Sequence, residues 1–375
     1  MVTYMDSLFY ELIRVSLGIQ EELSRVPTPK EWQALFELST QQTLVGICSQ
    51  GVKQLYKDPR YAKTLSRTFL LKWLGIETLI KEKNQIVNKQ CVRLINFFTE
   101  QGFACSILKG QGMAAIYRND KKDLRLFRQS GDIDLWVGGG RKKVMNFLSQ
   151  FFDEYDYDYK NAHASFFSDT EVEVHWIPEI LMNLIRNRRL QKYWNNHEEE
   201  LYSDTVELPD GAVRIQIPSV SMNRFYILLH CYRHAFDEGV GLRQVMDYYF
   251  VLRQDKEKAS RTETMRLVKD FGMTKFVAAL MWIMKEVFQL EQDYLLCAPE
   301  EKEGQFLLGE IMQCGNFGHH DTRIKEIGHN KRIRDLTQNL QRAPHLLWHY
   351  PKEVLWAPMW MAFHFVWKRT IGREI

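Results

Sequence analysis

Two aspartates one residue apart, Asp132 and Asp134 in Arg128-Gln129-Ser130-Gly131-Asp132-Ile133-Asp134-Leu135-Trp136-Val137, are the residues of this chain best placed for chemistry. Ile133, Leu135 and Val137 alternate with them, so a strand of period 2 turns both carboxylates to one face and the apolar residues to the other. The stretch Glu171-Val172-Glu173-Val174-His175-Trp176 repeats the pattern, with Glu171, Glu173 and His175 sharing a face. If the two strands are neighbours in one sheet, Glu173 arrives beside the aspartates. Three carboxylates a few ångströms apart repel by about 4 kcal/mol per pair at an effective dielectric near 20, so such a cluster calls for cations. Hard oxygen ligands suit Mg2+ or Mn2+. Two such ions would leave positive potential for a triphosphate, the arrangement used for in-line displacement at phosphorus. The competing arrangement is an ion-pair network in which Lys109, Arg125 and Arg128 neutralise the acids. A bare Asp-x-Asp carries little weight, since Asp156-Tyr157-Asp158 is a second one. That pair lacks the preceding glycine and the apolar frame, and reads as a solvated strand face or loop.

The elements that must hold these residues can be traced outward. Residues 4–100 carry helical spacing, and the long stretch from Leu70 to Glu100 ends at Gln101-Gly102, a C-cap glycine. Phe103–Leu108 reads as a strand, Lys109-Gly110 as a turn and the stretch through Met113 to Tyr117 as a short helix. Asp132–Val137 is the next strand, bounded by Gly131 and Gly138-Gly139-Gly140, with a helix over 141–152. Residues 154–177, rich in Tyr, Phe and Val, fit a hairpin turning at Ser168-Asp169-Thr170 and closed by Pro178. Val213–Ile217 is a further possible strand, and helical spacing returns after Pro218. The expected organisation is a helical region over 1–100, a catalytic domain over 101–217 and a helical domain over 218–375.

Leu108-Lys109-Gly110, the short helix after it, Arg128-x-Ser130-Gly131-Asp132-Ile133-Asp134-Leu135-x-Val137 and Glu173-Val174-His175-Trp176 together resemble an uncharacterised nucleotidyltransferase family of bacteria. It is a distant relative of the kanamycin-type, CCA-adding and toxin-type enzymes of the polymerase-β-like superfamily. His230-x-x-x-His234, Gly241-Leu242-Arg243 and Asp247 are similar to the family's helical portion, so the resemblance runs from about residue 30 to 260. It implies a polymerase-β-like α/β (α+β) core, a small mixed sheet with extensive N- and C-terminal helices. It further implies Asp132, Asp134 and Glu173 as catalytic ligands of two Mg2+ (or Mn2+) ions, and an NTP whose phosphates lie near the Lys109-Gly110 turn. The implied reaction passes a nucleoside monophosphate to an acceptor and releases pyrophosphate. The superfamily usually has Gly-Ser at that turn, opening a helix whose N–H groups hold phosphate. Here Lys109-Gly110-Gln111-Gly112 lacks the hydroxyl, and a lysine can supply charge instead. That departure sustains a second reading, a non-catalytic nucleotide-sensing or protein-interaction module on the same fold.

Arg128 either reaches a phosphate or braces the acidic turn, as opposed to a salt bridge with Asp132 or Glu173. Ser130, next to Gly131, either bonds phosphate or caps the turn. At 100° per residue, His230, Arg233, His234 and Asp237 gather opposite an apolar stripe of Phe225, Leu228, Leu229, Tyr232 and Phe236. His230 and His234 could line a substrate-binding cleft, form an ion-paired face, or hold zinc, for which a third ligand would be needed. Arg243 and Asp247 are spaced for a helix salt bridge. Trp348, Trp356, Trp360, Phe363 and Trp367, with Lys368 and Arg369, fit a terminal helix packed on the core or one lying on a partner or membrane surface.

Composition sets the outer limits. With 50 Lys+Arg against 47 Asp+Glu the formal charge is only +3, which argues against strong general nucleic-acid binding. The six cysteines form no CxxC pair, as in a reducing compartment. No export signal or transmembrane segment is expected, and a cytoplasmic location is. The acceptor could be a small molecule, a protein or an RNA end, and oligomeric state is left open.

Overall fold

Capping chemistry announces the first helices. Thr28 accepts from the Glu31 N–H and the Glu31 carboxylate accepts from the Thr28 N–H, closing a capping box in front of Pro29. The computed structural model describes residues 4–370 apart from 210, 212, 256, 319, 322 and 324–340. Its helices begin with α1 (Tyr4–Leu17), α2 (Pro29–Gln41), α3 (Val45–Leu55), α4 (Pro59–Ala62) and α5 (Arg67–Glu100). After α5, Gly102 takes φ +76°, the left-handed conformation expected of its C-cap glycine. The chain then alternates: β1 (Cys105–Ile107), α6 (Gln111–Ala114), β2 (Ile133–Val137), α7 (Gly140–Leu148), β3 (Asp156–Tyr157), β4 (Asn161–Ala164), β5 (Val172–His175) and α8 (Leu184–Asn196). A hairpin of β6 (Asp204–Glu207) and β7 (Arg214–Ile217) precedes α9 (Val220–Phe236), α10 (Leu242–Arg253), α11 (Lys258–Asp270), α12 (Thr274–Phe288) and α13 (Glu301–Cys314). The last described helix is α14 (Pro351–Arg369).

These elements form two compact units, each assembled from three separated stretches of chain. The first takes residues 1–86, 116–130 and 239–322 and is helical, with α1 against α2, α3 and α12. The second takes 87–115, 131–238 and 323–375 and carries the mixed sheet, in the order β1-β2-β5-β4-β3. Among the described strands β2 and β5 alone run parallel, and their register sets Asp134 opposite Glu173.

Alternation in the second unit does what the sequence pattern requires. Ile133, Leu135 and Val137 of β2, Val172 and Val174 of β5, and Ala162 and Ala164 of β4 join one hydrophobic cluster. Against them lie Val87, Cys91, Leu94 and Phe98 of α5 and Val144 and Leu148 of α7. Burying each larger apolar side chain is worth about 1.5–3 kcal/mol, enough to pin the register and so the opposite face. All five residues of β2 are buried, Asp134 included, at 1% exposure.

The β6 strand was not expected: in Asp204-Thr205-Val206-Glu207 half-buried and exposed residues alternate, and Val206 is its one apolar residue, too little to mark a strand that pairs with β7 at the edge of the cluster. The second Asp-x-Asp sits at the sheet edge and is engaged by α14. Lys368 Nζ donates to Asp156 Oδ1 at 3.1 Å and to the Tyr157 carbonyl at 2.8 Å, and His364 pairs with Asp158. Tyr159 meets the rings of Trp367, Trp360 and Phe363 at 5.1, 5.5 and 5.9 Å. One face of this aromatic helix is therefore packed, while Leu355, Met359 and Val366 are exposed. Among the described residues no helix is long and apolar enough to cross a membrane.

Candidate active site

An ionised carboxylate at a fully buried strand position is costly unless paired, and Asp134 is paired twice. Lys109 Nζ, from the turn after β1, lies 2.7 Å from its Oδ1. His175 Nε2, from β5, lies 3.0 Å from the same oxygen and 3.1 Å from Glu173 Oε2. Asn161 on β4 donates to Glu173 Oε2 at 2.7 Å. Strand pairing explains the convergence: β2 lies between β1 and β5, so the lysine arrives from one side and the glutamate and histidine from the other.

Burial opposes ionisation of Asp134, but the Lys109 charge and the His175 hydrogen bond outweigh it and hold the carboxyl below its ordinary range. Glu173 behaves in the same way and lies well below its usual value, held by His175, Lys109 and Lys160 against burial. For Lys109, burial works against the charge, while Asp134, Asp132 and Glu173 raise the pKa overall. The His175 imidazole is likewise raised, its bonds to Asp134 and Glu173 overcoming burial. The cluster thus holds its acids ionised through cationic partners.

Asp134, Glu173 and His175 each offer a ligand atom, all within 4.8 Å of one another, and together could hold a metal ion. Asp132 is half-buried just before β2 and outside that trio. Gly110 follows Lys109 at φ +54°, ψ −110°, and a Cβ there would sit 3.3 Å from the Asp132 carbonyl. A glycine is required for both reasons. The helix it precedes, α6, is a single turn of four residues.

Other expected residues fall into two groups. Arg128 and Ser130 belong to the helical unit. There Arg128 forks onto Asp247 at 2.6 and 2.7 Å, and Tyr117 donates to Asp247 Oδ1 at 2.6 Å. Arg243 Nη1 donates to the Gln129 carbonyl, so these residues brace the segment that leads into the acidic strand. Ser130 Oγ is buried without a hydrogen-bond partner among the described residues, and Gly131 is exposed. His230 and His234 belong to the sheet-bearing unit and are buried, on α9.

His230 contributes to a second ionic cluster in that unit, centred on a residue that sequence reasoning passed over. Glu179 is fully buried; its Oε2 lies 3.1 Å from His230 Nδ1, and its Oε1 lies 3.0 Å from Arg233 Nε and 3.3 Å from Lys160 Nζ. Against burial, Arg233, Lys160 and His230 hold its carboxyl well below the ordinary value. Burial, Lys109 and His234 push His230 well below its own. One turn before His230, Tyr226 is buried with its hydroxyl unpartnered among the described residues. Its pKa is raised by burial and by the charges of Asp134, Glu179 and Glu173. The alternation of Glu173 with His175 could have flagged His175. Nothing local marks Glu179, a lone acid after Pro178.

The arrangement is a buried, cation-balanced set of carboxylates on one face of a small mixed sheet, with a charged turn beside it. Searches of curated proteins and of solved structures return no match. A family model described as an uncharacterised nucleotidyltransferase matches residues 28–289, so the chain belongs to that family.

Proposed function

We propose that the protein is a metal-dependent nucleotidyltransferase that passes a nucleoside monophosphate from an NTP to an acceptor, releasing pyrophosphate. The observation that carries this reading is the pairing of Asp134 with Glu173 across the parallel strands β2 and β5, on the polar face of the sheet. Asp132, Asp134 and Glu173 are the proposed catalytic ligands of Mg2+ or Mn2+, with His175 in reach of the last two. The donor set fits a divalent ion, since two ionised carboxylates converge with an imidazole. Bound divalent ions would supply charge stabilisation at the phosphates and lower the pKa of an acceptor hydroxyl.

The chain's own residues would do the positioning. Lys109, at the turn, would release Asp134 to the metal and turn its ammonium to the triphosphate, with Gly110 letting the backbone approach. His230 and His234 would line the substrate side of α9, and Arg128, Ser130 and Gly131 would set the course of the chain into β2. Glu173 could take the acceptor proton. The acceptor, a small molecule, protein or RNA end, would be read by residues outside this cluster.

The 2.7 Å ion pair between Lys109 and Asp134 favours a second reading, in which the lysine stands where a metal would and the fold senses nucleotide without catalysis. Purified protein incubated with Mg2+ or Mn2+ and labelled NTPs separates the two. Transfer of label, or self-labelling, that is lost in Asp132→Ala and Asp134→Ala supports the enzyme. Metal-dependent NTP binding without turnover over a broad acceptor panel supports the sensor, and no metal-dependent NTP binding sinks both.

A further inference from the structure

We propose that His175 is itself a metal ligand, biasing the site towards first-row transition ions such as Mn2+ over Mg2+. The inference rests on the metal-dependent reading above and deepens it. The strand that supplies Glu173 also presents His175, two residues on and on the same face, so a nitrogen donor joins the carboxylates. Its Nε2 is not peripheral. It points between Asp134 Oδ1 and Glu173 Oε2, at 3.0 and 3.1 Å, where a cation shared by the two carboxylates would meet it.

The three ligand atoms lie within 4.8 Å of one another, a span that one ion with bonds of about 2.0–2.3 Å can close with small side-chain adjustments. His175 is fully buried and Asp134 nearly so, which fixes both side chains before any ion arrives. Asp132, by contrast, lies outside the trio. Mg2+ prefers oxygen donors, keeps several waters and insists on a near-octahedral shell. A buried imidazole nitrogen in the donor set therefore favours ions that accept nitrogen. The alternative role for His175 is to position the carboxylates as a hydrogen-bond donor, with oxygen atoms alone meeting the metal.

Metal-free full-length protein titrated with Mn2+ and, separately, Mg2+ tests this, with affinities from calorimetry and the bound Mn2+ examined by spin-echo electron paramagnetic resonance. The expected result is modulation from a directly bound 14N nucleus in the unmutated protein. It should vanish in His175→Gln, whose preference for Mn2+ over Mg2+ should fall by about tenfold or more. Mn2+ bound without nitrogen coupling, or a preference unchanged in a folded variant, overturns the ligand role while leaving the nucleotidyltransferase reading intact. Failure of the unmutated protein to bind either ion, with or without NTP, overturns both. Absence of nitrogen coupling in the unmutated protein overturns the ligand role even if His175→Gln does not fold, and coupling that persists in His175→Gln but is lost in His163→Gln, whose Nδ1 lies 3.8 Å from Glu173 Oε1, overturns it as well.

Discussion

Replacing Lys109 by methionine keeps the bulk of the side chain and removes one charge from a largely buried ion pair of the acidic face. Nζ lies 2.7 Å from Asp134 Oδ1, with the two side chains 15% and 2% exposed. At that separation and an effective dielectric near 20, the attraction is about 6 kcal/mol. The lysine gives up hydration to make it, so the net loss is smaller. Stripping one partner from a buried pair costs about 3–5 kcal/mol. His175 still donates to Asp134 in the variant, which places the expected loss near 3 kcal/mol. A divalent ion on the same carboxylates reverses the deficit. At a free concentration a hundred times its dissociation constant it adds about 2.7 kcal/mol, and in the variant it no longer competes with an ammonium. Urea unfolding followed by circular dichroism, with and without Mn2+, should show Lys109→Met less stable without metal and gaining more from metal than the unmutated protein. Equal stability of the two proteins without metal, or an equal gain from it, would refute the competition between lysine and metal for Asp134.

Three further outcomes follow from the same reasoning. Glu179→Gln leaves Arg233, Lys160 and His230 without their shared carboxylate, and urea unfolding at neutral pH should register a loss of about 3–5 kcal/mol. Because the native pKa of Glu179 lies well below its ordinary 4.5, its contribution is complete above that value and disappears as pH falls through the native pKa. The variant's deficit should therefore shrink on acidification, and a deficit that grew would contradict the assignment. Gly110→Ala forces a side chain into φ +54°, ψ −110° beside the Asp132 carbonyl; a cost of about 1–3 kcal/mol and weaker metal-dependent NTP binding by calorimetry are expected, and unchanged values on both counts would remove the turn from the site. Tyr159→Ala empties the ring cluster beneath α14. Because Tyr159 is half-buried, it should cost about 1–3 kcal/mol and open the helix to limited proteolysis, whereas an unchanged digestion pattern would mean that the helix is held by something else.

Much of the acidic face was legible from the order of residues. Period-2 alternation is a local property: once Ile133, Leu135 and Val137 must be buried, Asp132 and Asp134 have one face to occupy, and the same holds for Glu173 and His175 opposite Val172 and Val174. Burial of those same apolar residues in one cluster is the physical reason that the alternation survives folding. The Lys109-Gly110 turn and the Gly102 cap were legible too, because both positions take a positive φ that favours glycine.

Partner choice was not legible. Arg128 stands four residues before Asp132, yet its guanidinium is taken by Asp247, 119 residues away. The acid that organises His230, Arg233 and Lys160 is Glu179, which has no sequence pattern around it. The order of strands, and with it the placing of Asp134 against Glu173, also belongs to the tertiary structure. Hydrophobic period is written residue by residue, so a chain declares which faces it must bury. The charge that neutralises a buried acid can come from any segment that packing brings within about 4 Å, and only the folded chain decides which one does.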